Sequence, residues 1–273
     1  MISYRQRFGL IHDVMPKGAL GKSFFDKPLG YQRLQRSFRD LLEDKGVGLL
    51  TAEPGVGKTA AIRNLCTALP KPDYRVLYVC NTAVSPLDLY RSLAVELGLR
   101  PSYRSAQLWA DIKAALTHLA DESGTTVVVV LDEAQHLSDR FLLDLSGFLN
   151  FAFDSRDLMV MWLVGLTPLC GRLRMQQHAA LFTRIAAHVR MEPLEREHFC
   201  AMVEHGLAAA GATRKIFSDA ALEMLVRQSN GVPRLCGRLI RASLRRAHEL
   251  GQDFVDETVL QAALDEFPVA VRP

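Results

Sequence analysis

Between Leu49 and Leu65 the sequence reads LLTAEPGVGKTAAIRNL, with glycines, a lysine and a threonine spaced to hold a run of phosphates. The loop itself is Glu53, Pro54, Gly55, Val56, Gly57, Lys58, Thr59 and Ala60. Gly55 and Gly57 let backbone N–H groups turn inward around an anion, and a helix starting here presents its positive end. Lys58 is a point charge for the β- and γ-phosphates, and Thr59 offers a hydroxyl to Mg2+. The pattern is that of a P-loop with one departure, Ala52 where the first glycine is usual. The competing reading is a glycine-rich turn that binds nothing. Context disfavours it, because the strand-like VGLLT (47–51) precedes the loop and helical periodicity follows to about Leu69.

A second chemical stretch is TTVVVVLDEAQ (125–135). Its apolar, β-branched run is too short for a membrane span and suits a buried parallel strand. Asp132 ends that strand, where a carboxylate would emerge beside the phosphate loop and hold the metal, usually through water. Glu133 is the residue placed to polarise an attacking water. A capped helix start is the plainer reading of DEAQHL, but a phosphate loop upstream favours the chemical one. The two stretches together predict binding of ATP with Mg2+ held by Thr59 and Asp132, and hydrolysis assisted by Glu133.

Both stretches need a sheet to position them. YRVLYVC (74–80), LMVMWLVGL (158–166) and AHVRMEPL (187–194) read as further strands. Between them lie helical patterns at 31–46, 86–99 with Ser85 as cap, 105–122 and 139–154. Strands alternating with helices predict an α/β fold, a parallel five-stranded sheet covered on both faces. After Pro193 only helical periodicity remains, and Gly211, Gly231 and Gly251 end three of the helices. The expected division is an irregular segment 1–30, an α/β domain 31–194, a small all-α lid 195–267 and a tail 268–273.

Composition sets outer limits. The 273 residues carry a net charge of +3, compatible with nucleic acid without requiring it. No apolar run approaches a membrane helix, and the N-terminal stretch lacks the apolar core of a signal peptide. The five cysteines are odd in number, widely spaced and without a CxxC, as in reduced thiols of a cytoplasmic protein. His198, Cys200, His205 and Cys236 fit no zinc spacing.

The order P-loop, LDEAQ, VGLTPL, LFTRIAAHVRMEPL and GVPRL resembles the AAA+ ATPases over roughly residues 8–267. Within them it is most similar to the group that holds the transposition regulators TnsC, TniB and MuB and the secretion ATPase ExeA. The resemblance implies a sensor role for Thr167, which would feel the γ-phosphate and orient water. Relatives often show Gly-Thr-Pro there, whereas this chain has Gly165-Leu166-Thr167-Pro168. It implies that Arg184 is an arginine finger reaching a neighbouring subunit, with Arg190 as the alternative. Arg234 of GVPR would be the second sensor. A finger acting in trans requires a homo-oligomer, a ring or a helical filament.

Three uses of ATP stay open. The first is an oligomer on duplex DNA that marks a target and recruits a transposase, alone or with a target-selector protein. The second is a secretion or assembly ATPase of the ExeA kind, whose members are generally longer, with a membrane segment. The third is a small-molecule phosphotransferase, for which no acceptor site is evident. The first fits best, with no membrane partner expected. For DNA, the loop GLRPSYRS offers Arg100, Tyr103 and Arg104, with Lys113 two turns on, against the reading of a plain solvated loop. Phosphate contacts would suit a protein that must sit on many sequences. Arg234, Arg238, Arg241 and Arg245 share one helix face with no acid from Arg227 to His248. That face could equally serve the nucleotide, a neighbour, a partner or solvent. Ser23-Phe24-Phe25 fits core packing better than an adenine or subunit contact.

Overall fold

The structure is a computed structural model and describes residues 3–266, so the tail at 268–273 lies outside the described residues. The chain forms two compact units. A sheet unit holds residues 29–54 and 61–191, and a helical unit holds residues 3–28, 55–60 and 192–266.

In the sheet unit, helix α2 (Leu29–Asp44) leads into strand β1 (Gly46–Ala52). Then follow β2 (Tyr74–Val79), α4 (Pro86–Glu96), α5 (Ser105–Asp121), β3 (Thr126–Leu131), α6 (Asp139–Phe148), β4 (Met159–Gly165), α7 (Pro168–Leu173), α8 (Ala179–Phe182) and β5 (Ile185–Met191). Helix α3 (Lys58–Thr67) begins within the glycine loop. The five strands are all parallel, in the order β2-β3-β4-β1-β5. The order explains the sequence of each strand. Central β3 and β4 are covered on both faces and are buried along almost their whole length, which is why they read as unbroken apolar runs. Edge strand β5 instead alternates exposed and more buried positions. Because Thr51 pairs with Gly165 and Leu131 with Leu163, β1 and β4 end together and β3 ends two residues short of β4, so all three termini lie at one edge of the sheet.

Trp162 fills the sheet centre, fully buried and stacked on Phe38 of α2 at 5.9 Å between ring centres. Its neighbour on β1 has to be Gly48, because a Cβ there would lie 2.6 Å from the indole. Ser85 caps α4, accepting from the Asp88 amide at 3.2 Å. The helix expected to run to Asp154 ends at Phe148 instead. There Phe151 turns back into the core and bridges to Arg156, and Ala152, Phe153 and Asp154 all take positive φ. Apolar spacing continued past the helix because the returning phenylalanine serves the same core.

The helical unit contains α1 (Tyr4–Arg7), α9 (Arg196–Ala209), α10 (Asp219–Ser229), α11 (Pro233–Glu249) and α12 (Glu257–Asp265). Its core is built from Phe199, Val203, Leu225, Ile240, Leu244 and Leu260. The segment expected to be irregular joins this core. Ser3 and Gln6 form a capping box on α1, Phe8, Leu10 and Val14 are buried, and Phe25 packs on the His205 ring. Asn230 closes α10 in the left-handed conformation, one residue before the expected Gly231. Among the described residues no helix is long and apolar enough to cross a membrane.

Overpacking gives a direct test of this sheet. Gly48→Ala should lower the urea midpoint by an amount equivalent to roughly 1–3 kcal/mol, since neither a strand backbone nor a buried indole can yield easily.

Candidate active site

The glycine loop belongs to the helical unit. Gly55 and Gly57 have φ of +83° and +114°, regions that side chains rarely enter, so these positions require glycine. Glu53 and Pro54 are exposed, Val56 is buried, and Thr59 and Ala60 are half-buried. Lys58, the first residue of α3, is only 7% exposed. Distant sequence closes on the loop. The Arg234 amide donates to the Gly55 carbonyl at 3.2 Å, and a Cβ on Gly55 would lie 2.9 Å from Val232 and 3.1 Å from the Arg234 Cβ. Val232-Pro233-Arg234 thus backs the loop, with Pro233 at the first turn of α11. Inward-turned amides at a helix start, with a buried lysine, are the donor set a polyphosphate needs.

The acidic pair belongs to the sheet unit. Asp132 is 2% exposed and immediately follows β3. Its Oδ1 accepts from the Glu133 amide at 2.9 Å and its Oδ2 from the Tyr78 hydroxyl at 2.9 Å. Burial, followed by the charge of Asp132, pushes the Tyr78 phenol well above its ordinary value, so it stays a donor. Glu133 takes a left-handed backbone, φ 53° and ψ 37°, which turns its side chain out to solvent while its neighbours stay buried. Thr82 donates to its carbonyl at 2.7 Å, and Gln135 donates to its carboxylate at 2.5 Å. Sequence reasoning missed Tyr78, Thr82 and Gln135 as partners of this pair. Gln135 stood in plain view in LDEAQ, but its target depends on the turn at Glu133, which no residue type announces.

Thr167 lies just beyond β4 at the start of α7, and its Oγ1 is buried without a hydrogen-bond partner among the described residues. A buried hydroxyl with unused capacity is suited to a polar ligand. Arg184 follows α8, and its guanidinium pairs with Asp154 at 2.5 Å. Arg190 is exposed on β5.

Arg100, Tyr103 and Arg104 are all exposed, and Tyr103 is 91% so. Arg91, which sequence reasoning overlooked, lies against the Tyr103 ring at 5.9 Å. Lys113 does not join them. Its ammonium donates to the carbonyls of Asn150 at 2.7 Å and Gly147 at 3.5 Å, and sits 4.8 Å from the Phe151 ring. Burial lowers its pKa. It caps α6, which gives this lysine a structural use apart from the DNA contact expected from the sequence. On α11, Arg234, Arg238 and Arg245 are exposed, Arg241 is half-buried, and Arg245 lies over the Tyr4 ring at 5.7 Å.

These geometries can be compared with known proteins. The family profile described as an AAA domain matches residues 39–173, which span the loop, the acidic pair and Thr167. The chain carries an AAA-type ATPase domain. Over 217 residues it is 34% identical to general secretion pathway protein A of Aeromonas hydrophila. That match covers 77% of this chain, which spans only 39% of the relative's length. Among solved structures, Cdc6p from Pyrobaculum aerophilum superposes with a TM-score of 0.71 at 18% identity, covering 96% of this chain and 73% of that one. The Drosophila ORC bound to DNA gives 0.70 at 18%, covering 96% and 64%. Thermotoga maritima RuvB, a Holliday junction branch migration motor, gives 0.57 at 16%, covering 86% and 66%. At these identities the structures establish the AAA+ P-loop fold, with its parallel five-stranded sheet and flanking helices.

The structural use of Lys113 is testable. Lys113→Ala should destabilise the protein by about 1–2 kcal/mol in denaturant titration, because charged donors to two carbonyls and a ring contact are lost. Nucleic-acid affinity of the folded variant should stay within about twofold of wild type, as an occupied cation contributes little to counterion release.

Proposed function

We propose that this AAA-type ATPase hydrolyses ATP in a Mg2+-dependent reaction and uses the nucleotide as a switch for assembly on duplex DNA. The observation that carries the hydrolytic part is the turn at the end of β3, which fixes Asp132 in the interior and presents the Glu133 carboxylate outward. In this reading the amides of residues 53–60 and Lys58 bind the phosphates, and Thr59 with Asp132 holds Mg2+. The metal, when bound, neutralises charge on the phosphates. Glu133 orients a water and takes its proton at the carboxylate. Thr167 and Arg234 sense the terminal phosphate, and Arg184 acts on the site of a neighbouring subunit, with Arg190 as the alternative. A phosphotransferase reading fits less well, because the outward carboxylate of Glu133 suits activation of water.

For the client, we favour DNA, with the chain acting as a cytoplasmic regulator of DNA transposition. It would assemble with ATP as a ring or filament, mark a target and recruit a transposase, alone or with a target selector, and hydrolysis would take the assembly apart. The exposed loop of Arg100, Tyr103 and Arg104, with Arg91 against the tyrosine, supports backbone contacts that carry no base information. Two relatives of similar fold are described as bound to DNA, the Drosophila ORC and the Aeropyrum pernix ORC1 protein. A second reading has its own support. The 34% identity to general secretion pathway protein A favours a secretion or assembly ATPase acting on a protein or membrane client.

Negative-stain microscopy of the protein with duplex DNA, with and without a slowly hydrolysed ATP analogue, separates the two. Nucleotide-dependent rings or filaments on DNA are expected, abolished by Arg184→Ala and prolonged by Glu133→Gln. Free subunits under every condition would remove the DNA reading and leave the secretion one. Lys58→Ala should lower the hydrolysis rate by at least about a hundredfold, measured as phosphate release, since the phosphates would lose their main fixed positive charge.

A further inference from the structure

Gln135 stands at the centre of the polar cluster formed by the ends of β3 and β4. We propose that Gln135 is a positioning residue for hydrolysis, coupling the end of β4 to the carboxylate of Glu133. The inference rests on Glu133 being the residue that activates water.

Both ends of the Gln135 amide are engaged. Nε2 donates to Glu133 Oε2 at 2.5 Å, and Oε1 accepts from the Leu166 amide at 3.1 Å. Leu166 immediately precedes Thr167, the sensor of the proposed mechanism. One side chain therefore joins the backbone next to the residue that would read the terminal phosphate to the carboxylate that would act on water. The connection is rigid at its base. Arg172 donates to the Gln135 carbonyl at 3.2 Å and to the Leu137 carbonyl at 2.5 Å, and is itself held by Asp139 at 2.9 Å. The path is also cleared for it, since a Cβ on Gly165 would lie 2.9 Å from Gln135 Oε1 and 3.2 Å from its backbone nitrogen.

The chemistry of the bridge admits few replacements. It needs a donor facing a carboxylate and an acceptor facing an amide, at the ends of a side chain of this length. Glutamate keeps the acceptor but turns a negative charge toward Glu133. Leucine keeps much of the volume and loses both functions. With either substituent Glu133 loses its guide and samples other rotamers about its left-handed backbone. Its carboxylate is then aimed at water for a smaller fraction of the time. Nucleotide binding by the loop at 53–60 does not depend on this bridge, so the defect should fall on kcat and spare KM.

The test uses steady-state phosphate release by the full chain, with thermal melting alongside. Gln135→Leu and Gln135→Glu should each lower kcat by about tenfold or more, with KM for ATP within about twofold and melting within a few degrees of wild type. Combined with Glu133→Gln, Gln135→Leu should add little further loss, because the bridge acts only through the Glu133 carboxylate. A kcat within twofold of wild type, or losses that multiply independently, would overturn the coupling. So would a fall in kcat that comes with a large rise in KM or a collapse in melting temperature. Glu133→Gln, run in parallel, isolates the underlying reading. If that variant hydrolyses ATP normally, the role of Glu133 fails and the inference with it. If it is inactive while Gln135→Leu is not, only the inference fails.

Discussion

Everything chemical in the sheet unit depends on one backbone turn, the left-handed conformation of Glu133. A non-glycine residue with φ of 53° is strained by about 1–3 kcal/mol, and such a turn persists only where its surroundings over-determine it. Here they do so from three directions. The side chain of Asp132 takes the Glu133 amide, Thr82 takes its carbonyl, and Gln135 takes its carboxylate. The turn separates two carboxyl groups that are adjacent in sequence. One remains buried and oriented by Tyr78, and the other reaches solvent. Two like charges on neighbouring residues could not otherwise be given such different environments.

The turn in turn depends on the sheet. Strand β3 is paired along both edges with β2 and β4 and is almost wholly buried, so its last residue is fixed to the accuracy of close packing. The pairing of β3 with β4 brings Asp132 and Leu166 to neighbouring strand termini, and the absence of a side chain at Gly165 lets Gln135 pass between them. Fold and chemistry share one device: an all-parallel sheet collects loop residues along its C-terminal edge, where backbone donors and acceptors are unpaired and available.

Much of this was legible in the sequence because the determinants were local. VVVVL followed by Asp-Glu reads as a buried strand ending in an acid pair, and glycines flanking Val56 announce positive φ. What stayed hidden depended on distant partners. Lys113 reads as a surface cation two turns into a helix, and only the return of Phe151 toward α5 shows that it caps α6. The apolar spacing that placed a helix through Asp154 was real, but it reported a shared core and not a continuous backbone. The first thirty residues look irregular because their glycines and prolines are conspicuous, whereas Phe8, Leu10 and Val14 belong to the helical core. The glycine loop itself was legible at once, yet its packing against Val232 and Arg234 joins residues separated by about two thirds of the chain.

Arg184 shows how an arginine can be both held and available. Its partner Asp154 is about half exposed, and an ion pair in that setting contributes only about 0.2–1 kcal/mol. The loop that carries Asp154 does not need the pair to keep its shape. Three successive left-handed residues are supported instead by the Phe151–Arg156 bridge, by the Ser155 hydroxyl on the Ala152 carbonyl, and by Arg156 on Asp121. Arg184 can therefore leave Asp154 without unravelling the loop. In the proposed finger role, a terminal phosphate would offer its guanidinium a fork of acceptors with more charge than one exposed carboxylate, and the exchange would run toward the phosphate. The pair thus restricts the rotamers of the Arg184 side chain at little cost to its leaving Asp154.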